Sequence, residues 1–171
     1  MRPPKKRPFV PREEKVFSKS QIQQFFNYAS ILIKDQNKVL SIIETCFDRW
    51  EVIPREFLKV PEVYFYQLLR KRCYLELGDN HKQTTEKESD IVEITLEGLE
   101  GLEFKDYNHF IEYFDTLENL SREVLYFWAI EKKKVDQISK IIGRKRSDIL
   151  FQLLDIREKL NHQKNEADNN D

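Results

Sequence analysis

At 171 residues, with 35% charged side chains and only 4 glycines, the chain has the composition of a well-solvated helical protein. It is long enough for one ordinary domain or two small ones. A net charge of −1 excludes a general polycation, but basic residues gather at both ends and acidic ones in the middle.

No apolar run approaches the ~20 residues of a membrane span, and no apolar core follows the N-terminal cations as in a signal peptide. The sequence therefore predicts a cytoplasmic protein with no membrane insertion. Cys46 and Cys73 fall inside apolar helical patterns and read as buried free thiols. His81, His109 and His162 are scattered with no second ligand at metal spacing, so neither metal nor cofactor is expected. There is no Gly-rich phosphate loop, no nucleophile constellation and no paired carboxylate suited to acid–base work, which argues against an enzyme.

Residues 1–17 place Pro3, Pro4, Pro8 and Pro11 among basic side chains and read as a flexible arm. It is either a passive tail or a tether to phosphates and acids. A first helix begins at Ser18 or Ser20, with Ile22, Phe25, Phe26, Ala29, Leu32 and Ile33 along one face. After a break at Asp35–Asn37, a second helix carries Val39, Ile42, Ile43, Cys46, Phe47 and Trp50 inward. Pro54 ends it, and Pro61 suits the first turn of a third helix over 62–77, with Phe65, Leu68, Leu69 and Leu75 inward. These three helices predict a compact domain over 18–77.

On the third helix, Tyr64, Phe65 and Tyr66 precede Arg70, Lys71 and Arg72 by about one and a half turns. Two readings stay open. Phe65 and one tyrosine are core and the cations a solvated face, or aromatics and cations together bind a single strand by stacking and charge.

Residues 78–105 read as an acidic linker in which Ile91, Ile94, Leu96, Leu99 and Leu102 interrupt the charge. A second unit over 106–160 opens with a short helix of Phe110, Ile111, Phe114 and Leu117. The helix of Val124, Leu125, Phe127, Trp128 and Ile130 follows. Val135, Ile138, Ser139, Ile142, Gly143 and Ile149 then have the spacing of a helix-turn-helix. Ile138 and Ile142 share a face, Ser139 permits close approach and Gly143 admits positive φ.

The closing helix starts with Arg144, Lys145 and Arg146, where a recognition helix meets phosphates. Ser147, Phe151 and Gln152 are candidates for base contact: Gln152 with adenine, Phe151 with a thymine methyl. The alternative is a solvated helix with Phe151 buried. Lys132, Lys133 and Lys134 are candidates to clamp the neighbouring backbone. The tail over 161–171 is expected to be disordered.

Leu117, Arg122, Val124, Phe127, Ile138, Ser139, Ile142, Gly143, Ile149, Leu153, Arg157 and Leu160 fall, without a gap, on a known family pattern. It resembles region 4 of bacterial RNA polymerase sigma factors of the extracytoplasmic-function (ECF) type. Ser139 and Ile156 stand where alanine is usual, and Gln152 where arginine is frequent. The first domain resembles region 2 of the same family in element order and in Phe47 and Trp50. Its A-E-D positions read Val39, Leu40 and Ser41, its glutamine position reads Glu44, and Lys71 stands where asparagine is usual.

The resemblance implies an all-α protein of two small helical domains joined by a linker, the second a helix-turn-helix. It implies core RNA polymerase and promoter DNA as partners, with an anti-sigma factor as a further one. The free chain would be a monomer. The C-terminal helix would read the −35 element, and the third helix, through Tyr64, Tyr66, Arg70, Lys71 and Arg72, the melted −10 strand. Glu44 and Asp48 would face core polymerase. A helix-turn-helix regulator that no longer initiates transcription, or a protein-interaction module, are the alternative readings.

Overall fold

A computed structural model describes residues 17–53, 59–78 and 107–168, with side chains described over 17–53, 59–78 and 112–162. Most of the expected arm, the proline link and most of the acidic linker lie outside the described residues. All regular structure among the described residues is helical, in seven α-helices: α1 (Lys19–Leu32), α2 (Gln36–Val52), α3 (Pro61–Glu76), α4 (Tyr107–Thr116), α5 (Asn119–Leu125), α6 (Val135–Ile142) and α7 (Arg146–Asp168). A π-helical turn, Tyr126–Ile130, extends α5.

Local chemistry accounts for most boundaries. Ser18 caps α1 by accepting the Gln21 N–H, while the Gln21 side chain accepts the Ser18 N–H, a reciprocal capping box. Asp35 ends the break by accepting from the Asn37 and Lys38 N–H groups at the start of α2. Pro61 takes the first position of α3, where its missing N–H is no loss. Gly143 closes α6 in the left-handed region at φ 73°. The helix of α7 runs on to Asp168, past the expected stop at Leu160, because the polar segment after it contains neither Gly nor Pro.

The buried side chains form one cluster that runs from Phe17 to Leu160. Its N-terminal part is aromatic: Phe17, Phe25, Phe47, Trp50 and Phe65 pack ring against ring, with Phe25 and Phe65 at 4.4 Å between centroids. Phe17 was expected at the end of the arm; instead it is buried among these rings and anchors the entry to α1. Its C-terminal part is aliphatic, built on Ile138, Ile149, Leu153, Ile156 and Leu160.

α3 joins the two parts. It buries two neighbouring stripes, Phe65–Leu69–Cys73 and Tyr66–Tyr74, with Arg70 between the latter pair. The first stripe faces the aromatic part. The second faces the C-terminal helices, through Glu123, Phe127 and Glu131. Leu75, expected inward, falls on the side opposite both stripes and is exposed; Ile22, at the edge of the α1 face, is exposed too. The halves that the sequence separates therefore touch directly. Arg122 ties the seam at one end, donating to the Ile31 carbonyl of α1 (3.2 Å) and the Leu117 carbonyl before α5 (3.1 Å).

Candidate nucleic-acid interface

The α6–α7 corner is assembled by its backbone. The Gly143 and Arg144 N–H groups both donate to the Ser139 carbonyl, at 2.9 and 3.2 Å, and the Ser139 hydroxyl donates back to the Arg144 carbonyl at 2.6 Å. Ser139 is therefore a turn clamp as well as a small side chain. Asp148 accepts the Lys145 N–H at 3.3 Å, fixing the first turn of α7. Val135, Ile138, Ile142 and Ile149 are buried beneath this corner.

On its outer side Lys145 and Arg146 are exposed and Arg144 half-buried. Arg146 lies 3.5 Å from Asp136, but both side chains are more than half exposed, so the pair is worth little and leaves the guanidinium open to a ligand. Phe151 is 47% exposed, a large apolar surface one turn further along α7. Ser147 is half-buried. Gln152 points elsewhere: its Oε1 accepts from the Ser121 hydroxyl at 2.9 Å, which turns that part of the amide toward α5 and away from the exposed face.

The three lysines before α6 have three settings. Lys132 is exposed and sits at φ 54°, a left-handed conformation unusual for a residue with a Cβ. Lys134 is exposed at the start of α6, its N–H held by Gln137. Lys133 is turned inward, paired with Glu62 of α3 and 3.6 Å from Glu131, and is not presented as a backbone clamp.

On α3, Phe65 and one tyrosine are core, as in one of the two open readings, while Arg70 lies neither on a solvated face nor free for a strand. Tyr66 is fully buried, its ring 5.1 Å from Phe127 and its hydroxyl donating to both carboxylate oxygens of Glu131 at 2.7 Å. Arg70 donates to both oxygens of Glu123, at 2.9 and 3.2 Å, and covers the Tyr74 ring at 4.5 Å. Tyr64 is half-buried against Trp50 at 5.7 Å. Lys71 is exposed and Arg72 half-buried. In this arrangement Tyr66 and Arg70 are thus withdrawn from any external strand.

Glu123, 0% exposed, is the hub that sequence reasoning missed. It accepts hydrogen bonds from Tyr28 of α1 and from Arg70 and Tyr74 of α3, the last at 2.6 Å. Such a convergence of phenols and a guanidinium is what a buried carboxylate requires. Burial would lower the Arg70 pKa, but the Glu123 charge beside it leaves the guanidinium above its usual range. Burial and the neighbouring Glu123 charge push the Tyr28 and Tyr74 phenols upward.

Glu131 is the second hub. Burial pushes its carboxyl above the usual range, against hydrogen bonds from Tyr66 and Tyr126 and the Lys133 charge, which hold it down. The π-helical turn sets its position: the Glu131 N–H reaches back five residues to the Tyr126 carbonyl at 3.2 Å, and the Lys133 N–H to Phe127 at 2.9 Å. A detectable signal existed. Glu123 of α5 and Phe127 of the π-helical turn lie at i, i+4 in one apolar run, and Tyr66, Arg70 and Tyr74 repeat at the same interval.

On α2, Glu44 and Asp48 are both exposed. They continue at i, i+4, i+8 from Leu40, itself 50% exposed, so the three share one outward stripe. Cys46 and Cys73 are free and buried, and burial raises their thiols to about 11 and about 12, which makes them poor nucleophiles. Among the described residues no helix is long and apolar enough to cross a membrane, and no cluster has the makings of a metal site.

No protein-family model matches the sequence, and no curated protein matches it. Among solved structures, the chain is similar to one in the co-crystal structure of the sigma factor RpoE in complex with the anti-sigma factor NepR from Bartonella quintana. The TM-score is 0.57 at 12% identity, over 84% of this chain and 91% of that one. The match extends over more of the chain than either half supplies. At this identity the likeness is one of fold: the helices are arranged as in a component of a sigma–anti-sigma complex.

Proposed function

We propose that this chain is a non-enzymatic, sigma factor-like protein of transcription initiation, which binds core RNA polymerase and directs it to promoters. The observation that carries this reading is the fold likeness over 84% of the chain to a component of a sigma–anti-sigma complex. In this reading residues 18–77 and 106–160 act as two units, and α6–α7 is a helix-turn-helix. Arg144, Lys145 and Arg146 engage phosphates of the −35 element, and Ser147 and Phe151 reach base edges. Gln152 contributes through whatever part of its amide Ser121 leaves to the groove. Lys132 and Lys134 supply flanking charge.

The outward stripe of Leu40, Glu44 and Asp48 meets core polymerase. Tyr64, Lys71 and Arg72 serve a melted strand, and Tyr66 and Arg70 join them once released from Glu131 and Glu123. A single short recognition helix reads few base pairs, and polymerase supplies the missing affinity by presenting two DNA-binding units at once. An anti-sigma factor is a fitting further partner.

The test is run-off transcription across a genomic library with sigma-free core polymerase from the same host. Discrete starts that share two upstream elements support the proposal; absence of core binding removes it. A second reading, a DNA-binding regulator without initiation activity, is favoured by one observation: Tyr66 and Arg70 are committed to internal carboxylates. Stable core binding without starts would favour it.

A further inference from the structure

The seam between α3 and the C-terminal helices has an unusual chemistry for a permanent core. At its centre lie two carboxylates from one side, Glu123 and Glu131, received by phenols and a guanidinium from the other. Replacing a buried ion pair by packed apolar side chains is often neutral or stabilising by about 1–4 kcal/mol, so such a pair is weak evidence of a seam built only for strength. If the seam parts, the face left on the first unit carries the Tyr28, Tyr66 and Tyr74 hydroxyls and Arg70. All of these groups hydrogen-bond to water and none is aliphatic. Aromatic rings beside a cation are also the groups that bind single-stranded nucleic acid, by stacking and by charge.

We infer that the closed packing is a self-occluding latch, in which Glu123 and Glu131 act as internal anions on a single-strand-binding face and must leave before that face can take a strand. The inference rests on the single-strand role assigned to α3 above. Two features of the geometry support competition for that face over simple coverage. Glu123 takes the Nε and Nη2 donors of Arg70 side by side, the bidentate mode in which guanidinium also grips a phosphate. Glu131 takes the Tyr66 hydroxyl with both of its oxygens. A strand and the C-terminal helices therefore require the same atoms. The seam also has an exposed rim, where the Gln67 amide donates to the Lys140 carbonyl at 2.6 Å, a place where it can be locked from outside.

The experiment uses the full chain and a fluorescein-labelled oligothymidylate, with binding read by anisotropy and fold by circular dichroism. The double substitution E123Q/E131Q removes both internal charges and keeps one acceptor oxygen at each position, the other becoming an NH2 donor that faces the Arg70 and tyrosine donors. It is expected to tighten oligothymidylate binding about tenfold by shifting the population toward the open form. Cross-linking that variant at the rim, through Q67C and K140C joined by a bismaleimide, is expected to abolish the gain. Equal binding by wild type and variant overturns the latch, and so does a gain that survives the cross-link. Should E123Q/E131Q prove unfolded, the cross-link on the otherwise unaltered chain decides: loss of residual binding supports the latch and unchanged binding overturns it. No polymerase is present, so failure of run-off transcription leaves this result standing, and failure here leaves the sigma-like reading standing.

Discussion

Two cationic stretches of this chain look alike in sequence and end in opposite settings. Arg70–Lys71–Arg72 of α3 and Arg144–Lys145–Arg146 at the start of α7 are both runs of three next to apolar helix. In α3 the helix is buried on two adjacent stripes, so at least one cation of the run has to enter the core, and Arg70 is met there by Glu123. In α7 the run occupies the turn before the helix and its first residues, where only Ile149 and Leu150 begin the buried face. Lys145 and Arg146 stay in water, and Arg144 is only half-buried. The number of buried faces on a helix, more than local charge density, decides whether a basic run becomes structure or surface.

Breaking the buried member should have the largest effect. Arg70→Ala leaves Glu123 as an uncompensated buried charge and is expected to cost about 3–5 kcal/mol, read by urea denaturation. A loss under 1 kcal/mol would mean that Glu123 finds water or another partner, and the contrast with α7 would collapse. The exposed member should respond in a different observable. Lys145→Ala with Arg146→Ala is expected to change stability by less than about 0.5 kcal/mol each. It should lower the slope of log duplex affinity against log salt by about 0.9 for each phosphate that is no longer neutralised. An unchanged slope would remove these residues from the proposed DNA interface.

The Glu131 station sharpens the comparison through pH. Its carboxyl is raised by burial while facing Tyr66 and Glu62 of α3, Tyr126 of the π-helical turn, and Lys133. A raised folded-state pKa makes its contribution most favourable below the unfolded value, and that contribution is lost as pH rises through the folded value. Glu131→Gln should therefore gain stability relative to wild type as pH rises through and above the ordinary carboxylate range. A flat difference would mean that the hydrogen bonds from Tyr66 and Tyr126 and the Lys133 charge cancel the burial. The smallest expected effect is at Lys132: glycine at φ 54° relieves the left-handed cost and should stabilise by roughly 0.5–1 kcal/mol, against the usual entropic penalty of glycine. A destabilisation there would show that the lysine stem is packing on the π-helical turn.

Much of the local architecture was legible from residues alone. Ser18, Pro61 and Gly143 mark helix ends by their own hydrogen-bonding or backbone preferences at the expected places, and Asp35 caps a helix that starts at Gln36, inside the break expected over 35–37. The apolar stripes of α1, α2, α6 and α7 follow from 3.6-residue periodicity, since an apolar side chain has only one favourable destination. What tertiary structure alone decided is the fate of side chains that are at home on either side of a surface. Tyrosine and arginine carry an apolar body and a polar tip, so Tyr66 and Arg70 are as consistent with an exposed binding face as with a buried network. Their destination depends on Glu123 and Glu131, which lie 53 and 65 residues further along the chain from Arg70 and Tyr66 respectively. Lys133 likewise follows from the π-helical turn that points it at Glu62, a backbone geometry with no marker in the residue types. Periodicity reports that a face is covered. Only the folded chain reports what covers it, because the partners of a buried polar group are chosen by packing and not by sequence proximity.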